Sequence, residues 1–373
     1  MSLVFAGRSV AGDMPTRRHL IAAAAALPAT ALATAACQQE AQSQPTGPSG
    51  IALKAAAPFA VGTCVQTTHL RDPAFTALLD RHFSQITPEW EMKMERIVRA
   101  DGTFDFSAAD QIAAYARDHA LRLYGTTLVW YAQRPPAFEN LDTRRQSFAA
   151  AYRNYILAVA GRYRGQAVAW DVVNEPCNDD GPGLRDSLWS QRLGQEGHML
   201  AAFEHAAEAD PDAVLFINDY NLESKPAKRA EFMRLIERLL SRGARLTGIG
   251  CQSHIDIDLP EGAYAAAIRD LATFNLPIHV SELDISLGRR RLDLRPAAER
   301  LQVQARKATE VAEAFMNLRP HQRFAFTVWG LRDRDSWLRS PPNAGDGRDQ
   351  PLLFDDAGRP KAAFEAVVRA FRG

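Results

Sequence analysis

Two glutamates follow apolar runs in this chain of 373 residues. Glu175 closes the run Trp170-Asp171-Val172-Val173-Asn174 and precedes Pro176; Glu282 follows His279-Val280-Ser281 and precedes Leu283 and Asp284. Solvation is poor at the end of an apolar run, so a carboxylate there needs a partner or a chemical purpose. Either glutamate alone reads equally well as half of an ion pair, because 44 acidic residues supply many accidental partners. Two in comparable settings, one of them between Asn and Pro, favour a pair of reacting carboxylates. The nine histidines show no metal-ligand spacing such as HExxH, so no metal is implied, and no cofactor.

Such a pair works only if the fold brings its members together. Short β-branched or apolar runs fall at Phe59–Val65, Phe83–Pro88, Leu121–Trp130, Ala167–Glu175, Ala213–Tyr220, Leu246–His254, Pro277–Glu282 and Arg323–Gly330. Between them lie stretches of helical period at Pro73–His82, Ser107–His119, Arg144–Tyr163, Gly197–Ala209, Lys225–Arg242, Glu261–Phe274 and Ala297–Leu318, with a last one at Lys361–Phe371. Strands alternating with helices predict parallel βαβ units. Shared over the body from Ile51 to Gly373, each unit has about forty residues, the allowance of a (β/α)8 TIM barrel with loop insertions. A doubly wound sheet is the competing α/β reading, but no Gly-rich phosphate loop follows the first run. We therefore expect a single barrel domain over 51–373. Barrels gather reacting groups at the C-terminal ends of their strands, where Glu175 (fourth run) and Glu282 (seventh run) stand.

The composition excludes several other classes. Lysine plus arginine and aspartate plus glutamate each total 44, for a net charge of zero, so no basic surface awaits a nucleic acid. Four cysteines are too few for a disulfide scaffold; Cys64, Cys177 and Cys251 are expected to be buried thiols. The first fifty residues read differently from the rest. Arg17 and Arg18 precede an alanine-rich run from Leu20 to Ala36, and a polar segment with Pro45, Gly47, Pro48 and Gly50 follows. These are the parts of an export signal and linker, the paired arginines suggest the twin-arginine route, and Met14 is an alternative start. An exported chain would be periplasmic or extracellular, and Cys37 is a candidate for a lipid anchor. Beyond the leader no stretch reaches ~18 unbroken apolar residues, so no membrane span is expected. The Arg-rich run Arg289–Arg295 is expected to be a solvated loop.

The segments around the two glutamates carry a family resemblance. TPEWEMK at 87–93, TLVWYAQ at 127–133, WDVVNEP at 170–176, NDYN at 218–221, GIGCQSHI at 248–255, SELDI at 281–285 and VWGLRDRDSW at 328–337 follow one another in the order found in glycoside hydrolase family 10, the endo-β-1,4-xylanases. The chain resembles that family from about Phe59 to Phe371. The resemblance implies retaining hydrolysis of internal β-1,4 bonds in xylan or xylo-oligosaccharides through a covalent glycosyl-enzyme, a polysaccharide or oligosaccharide as partner, and a monomer as sufficient. Glu175 then becomes the acid/base and Glu282 the nucleophile, with carboxyls roughly 5–5.5 Å apart. His254 would hydrogen-bond Glu282, Asp284 would hold His254 from behind, and Asn174 would meet the sugar 2-hydroxyl. Trp329 and Trp337 match covers of the glycone side, Trp130 a floor for the central sugar, and Tyr220 an aglycone-side plate. Glu89, Lys93, Gln133 and Gln252 match polar sugar contacts. Three positions depart from the family: Trp90 replaces an asparagine, and Thr126 and Tyr131 replace histidines. All three are expected to border the glycone subsites, losing hydrogen bonds there and altering recognition. A barrel β-glycosidase of different or shorter substrate preference, or a non-catalytic polysaccharide-binding relative, are the alternatives.

Overall fold

The computed structural model describes residues 50–373 apart from 145, 289–292 and 345; the export segment, Cys37 and most of the Arg-rich run lie outside the described residues. Among the described residues nine strands form one parallel sheet: β1 (Ala60–Val65), β2 (Gln85–Pro88), β3 (Arg122–Trp130), β4 (Ala167–Asn174), β5 (Val214–Asp219), β6 (Gly248–Cys251), β7 (His254–Asp256), β8 (Ile278–Ser286) and β9 (Arg323–Val328). Their order is β6-β5-β4-β3-β2-β1-β9-β8-β7, and a further pairing of β6 with β8 closes the ring. Both β6 and β7 lie along β8, so they are two halves of one interrupted barrel strand, and the architecture is the expected (β/α)8 barrel.

Helices cover the outside because each crossover must return to the same end of a parallel sheet. Their starts are chemically marked. Asp72 accepts from the backbone N–H of Ala74 at 2.9 Å and of Phe75 at 3.3 Å, and Pro73 opens the helix Pro73–His82. Among the described residues no helix is long and apolar enough to cross a membrane. The lower barrel is filled by rings: Tyr124, Phe216, His279 and Phe324 pack at edge-to-face and tilted angles, with His279 Nε2 at 2.7 Å from Thr327 Oγ1. Burial holds that imidazole neutral, its pKa well below the ordinary value.

Seven of the eight expected strands lie where the apolar runs do. Two differences shape the site. β8 continues past Glu282 to Ser286, so the glutamate lies within a strand. The sixth run is broken at Gln252 and Ser253, where Ser253 adopts a left-handed φ of 66°. The break falls beside Glu282: β8 pairs with β6 up to Val280 and with β7 from Asp284. A Cβ on Gly250 would come within 2.3 Å of Asn218 Oδ1, so only glycine in β6 leaves space for that amide.

Candidate active site

Glu175 follows β4 at a left-handed backbone, φ 55°, a conformation that costs a non-glycine residue on the order of 1–3 kcal/mol and needs support. Its N–H donates to the Asn218 carbonyl at 2.7 Å. The carboxyl is surrounded by neutral donors: Trp130 Nε1 at 2.8 Å, Gln252 Nε2 at 3.0 Å and Asn174 Nδ2 at 3.3 Å. Burial raises its pKa; hydrogen bonds from Gln252 and Trp130 oppose that rise, and the charges of Asp219 and Glu282 add to it. Buried Asp219 is paired with Lys228 at 2.7 Å directly behind this wall. A carboxyl so placed holds its proton more tightly than an ordinary glutamate does.

Glu282 has different company. Its Oε1 accepts from Asn218 Nδ2 at 3.0 Å, its Oε2 lies 3.4 Å from His254 Nε2, and its N–H donates to the Gln252 carbonyl at 2.9 Å. On the far side, His254 Nδ1 meets Asp284 Oδ2 at 2.8 Å, and Trp337 Nε1 donates to the same oxygen at 2.8 Å. Burial alone would lower the His254 pKa; the carboxylates of Asp284 and Glu282 reverse this and push it up to about 10. His254 is therefore an imidazolium at neutral pH, and both its ring nitrogens donate.

A bridge of amides joins the two halves. Ser281 Oγ donates to Asn218 Oδ1 at 2.9 Å, which turns the Asn218 NH2 toward Glu282 and toward Asn174 Oδ1 at 3.2 Å. Gln252 Nε2 shares that Asn174 oxygen at 3.2 Å. With its oxygen held twice, Asn174 keeps its own Nδ2 beside Glu175. Five barrel strands, counting β6 and β7 as one, thus contribute to one constellation.

Comparison with known proteins gives the family. Residues 50–370 match the family model described as Glycosyl hydrolase family 10. The chain belongs to glycosyl hydrolase family 10. Endo-1,4-beta-xylanase B of Paenibacillus barcinonensis is 34% identical over 320 residues, covering 83% of this chain and 95% of that protein. Among solved structures, a thermostable mutant of a xylanase from Cellvibrio japonicus is 31% identical, with a TM-score of 0.78 over 86% of this chain and 100% of that one. A mutant structure in complex with xylotriose is 32% identical, with a TM-score of 0.78 over 85% of this chain and 99% of that one. The protein is a retaining glycoside hydrolase of the family 10 barrel type.

Within this family 10 barrel, the predicted wall residues divide into two groups. On the β2–β3 side, Lys93 Nζ lies 4.2 Å from the ring centre of Trp90 and 4.8 Å from that of Trp130, a cation between two indoles. Glu89 accepts from Gln66 at 2.9 Å, and burial raises its pKa. Gln133 Oε1 accepts from the Glu95 N–H at 2.8 Å. Across the opening, Trp329 and Trp337 pack near His254, with ring centres 6.3 and 5.1 Å from it.

The three departures from the family differ in their surroundings. Thr126 is buried beneath the cleft, and its hydroxyl donates to Asp171 Oδ2 at 2.8 Å. The side chain is too short to leave the barrel interior, and β3 lies in register with Asp171 at that point. Tyr131 lies between two neighbours: the Arg185 guanidinium is 4.2 Å from its ring centre, and the Trp130 ring centre is 6.0 Å from it. Trp90 is 37% exposed and lies beside Lys93. Trp130, expected as a floor, also holds Glu175 by its indole N–H.

The expected residues omitted Asn218, Asp171 and Arg185. Asn218 lay inside the quoted NDYN segment, and Asp171 inside WDVVNEP, so a search of strand interiors would have raised both. Arg185 lies in a loop that carries no periodic signal. Cys64, Cys177 and Cys251 are buried free thiols, as expected. Arg295 is held by Asp293 at 2.6 Å and Asp258 at 2.9 Å.

Proposed function

We propose that this chain hydrolyses internal β-1,4 bonds of xylan or xylo-oligosaccharides, with Glu175 as acid/base and Glu282 as nucleophile. The observation that carries the assignment is the opposite electrostatic setting of the two carboxyls. Glu175, ringed by neutral donors and burial, is suited to giving a proton to the glycosidic oxygen as the C1–O bond breaks. Glu282, beside an imidazolium and an amide, is suited to attacking C1 as an anion and forming a glycosyl-enzyme ester. Glu175, now ionised, takes a proton from water; the hydroxyl attacks C1 and Glu282 leaves, restoring both groups. The asparagine 174 donor beside the acid supports a contact to the sugar 2-hydroxyl, which strengthens in the transition state.

The xylan assignment is supported by the xylanase names of the relatives and by the xylotriose complex of one neighbour. Trp90 supports the finer reading that glycone recognition is altered, since an indole over Lys93 offers a sugar a flat face where an amide would offer hydrogen bonds. Export through the leader, Arg17 and Arg18 included, remains part of the proposal and would show as cleavage of the chain near residue 37–50 in a periplasmic or culture fraction. Hydrolysis of aryl β-xylobioside and aryl β-cellobioside by the purified protein tests the substrate. We expect the xylobioside to be turned over with the higher kcat/KM. Preference for the cellobioside would transfer the assignment to a β-glucan-directed glycosidase, and turnover of neither would leave a polysaccharide-binding relative.

A further inference from the structure

Arg185, ten residues beyond Glu175, reaches back from the β4 loop to the acid itself. Its side chain is 11% exposed. Nε donates to the Glu175 carbonyl at 3.1 Å, and Nη2 donates to the Tyr220 hydroxyl at 2.6 Å. Nη2 and Nη1 lie 2.6 and 3.4 Å from the two carboxylate oxygens of Asp179. The Tyr220 hydroxyl donates to the same Asp179, and the flat guanidinium face rests on Tyr131. One side chain thereby ties together residues that follow β3, β4 and β5.

The tie matters because Glu175 occupies a left-handed backbone, and such a residue keeps its conformation only when its surroundings over-determine it. Two bonds hold its peptide groups from opposite directions: its N–H on the Asn218 carbonyl, and its carbonyl under Arg185. Together they set the Cα–Cβ direction and hence the aim of the carboxyl. A guanidinium suits this task, since Nε and the Nη pair point to different partners while the plane stacks; an ammonium cannot do all three. The same accounting argues against a receptor for an acidic substrate, because most of the N–H groups are already engaged by the protein.

We infer that Arg185 is a positioning residue for the acid/base, acting through the Glu175 backbone, with Tyr131 as its stacking support. The inference rests on the reading of Glu175 as the acid. It is tested with Arg185→Ala, Arg185→Lys and Glu175→Ala on two aryl xylobiosides, one with 2,4-dinitrophenol and one with phenol as leaving group. Dinitrophenolate leaves without a proton, so kcat/KM for that substrate ignores a misaimed acid. We expect both Arg185 variants to lose about 10–10²-fold in kcat/KM on the phenyl substrate and less than about 3-fold on the dinitrophenyl one, following the pattern of Glu175→Ala at smaller amplitude. If Glu175→Ala discriminates between leaving groups and Arg185→Lys, folded by thermal unfolding, loses equally on both, the positioning role is overturned. If Glu175→Ala itself fails to discriminate, the acid assignment fails and the inference with it.

Discussion

The two carboxyls of this site are made of the same chemistry and differ entirely in what surrounds them. Glu175 meets an indole and two amides, none charged, with the negative charges of Asp219 and Glu282 nearby. Glu282 meets one amide and a histidine that two carboxylates keep protonated. Neutral donors stabilise an anion less than an imidazolium does, so a proton-holding side around Glu175 faces a cation-bearing side around Glu282. In the proposed mechanism the division of labour between acid and nucleophile follows from neighbours rather than from the glutamates.

The comparison breaks most visibly at the glutamates. Glu282→Gln should lower kcat/KM by about 10⁴-fold or more with every leaving group, because no other nucleophile stands in its place. Glu175→Gln should cost about 10²–10⁴-fold with xylan and little with a dinitrophenyl glycoside. Steady-state kinetics on both substrates checks this; equal dependence on leaving group in the two variants would erase the distinction between the sides.

Removing the charge behind Glu282 is the next largest effect. His254→Asn keeps a donor near Glu282 but no cation, and we expect a loss of about 10–10²-fold in kcat/KM, the worth of a hydrogen bond to a charged group. The variant also has a pH signature. The folded pKa of His254, about 10, lies above its unfolded value near 6.5, so the folded state binds the extra proton. The resulting stability is fully present below pH ~6.5 and disappears as pH rises through ~10. Thermal unfolding from pH 6 to 10.5 should show the wild type losing stability across that window and His254→Asn losing less; parallel curves would mean that His254 is neutral.

Much of this was legible beforehand, for physical reasons that also explain the remainder. Apolar runs mark strands in a parallel barrel because both faces are buried, so β1 to β5, β8 and β9 could be read from composition alone. Glu175, Glu282 and His254 stand out because charged or titratable groups interrupt or end those runs. The break in the sixth run was hidden, since it depends on Ser253 taking a left-handed backbone that no glycine announces. Thr126 was placed at the cleft by analogy with a longer side chain, whereas its hydroxyl reaches only the neighbouring strand. Arg185 joins partners ten and 35 residues away, a closure that local sequence cannot display.

A third carboxyl tests whether neutral donors alone define the proton-holding side. Asp171, inside β4 and fully enclosed, accepts from Tyr124 Oη at 2.5 Å and Thr126 Oγ1 at 2.8 Å, with Asn218 Nδ2 at 3.4 Å. Burial pushes its pKa up to about 7, the Tyr124 and Thr126 hydrogen bonds hold it back, and the Glu282 charge adds to the rise. Because the folded pKa exceeds the unfolded value near 3.8, the folded state binds the proton more tightly, and stability falls as pH climbs from ~4 to ~7. Asp171→Asn abolishes that slope. It also leaves one hydroxyl facing an NH2 group, a loss of about 1 kcal/mol at every pH. The level and the slope therefore separate: the constant loss lowers the variant at every pH, but relative to the wild type it should gain stability steadily from pH 4.5 to pH 7.5, by on the order of 1.4 kcal/mol per pH unit, and overtake it, as denaturant melts would show. A deficit that instead grew with pH would mean that Asp171 is held as an anion. The boundary between the two sides would then lie inside β4, between Asp171 and Glu175.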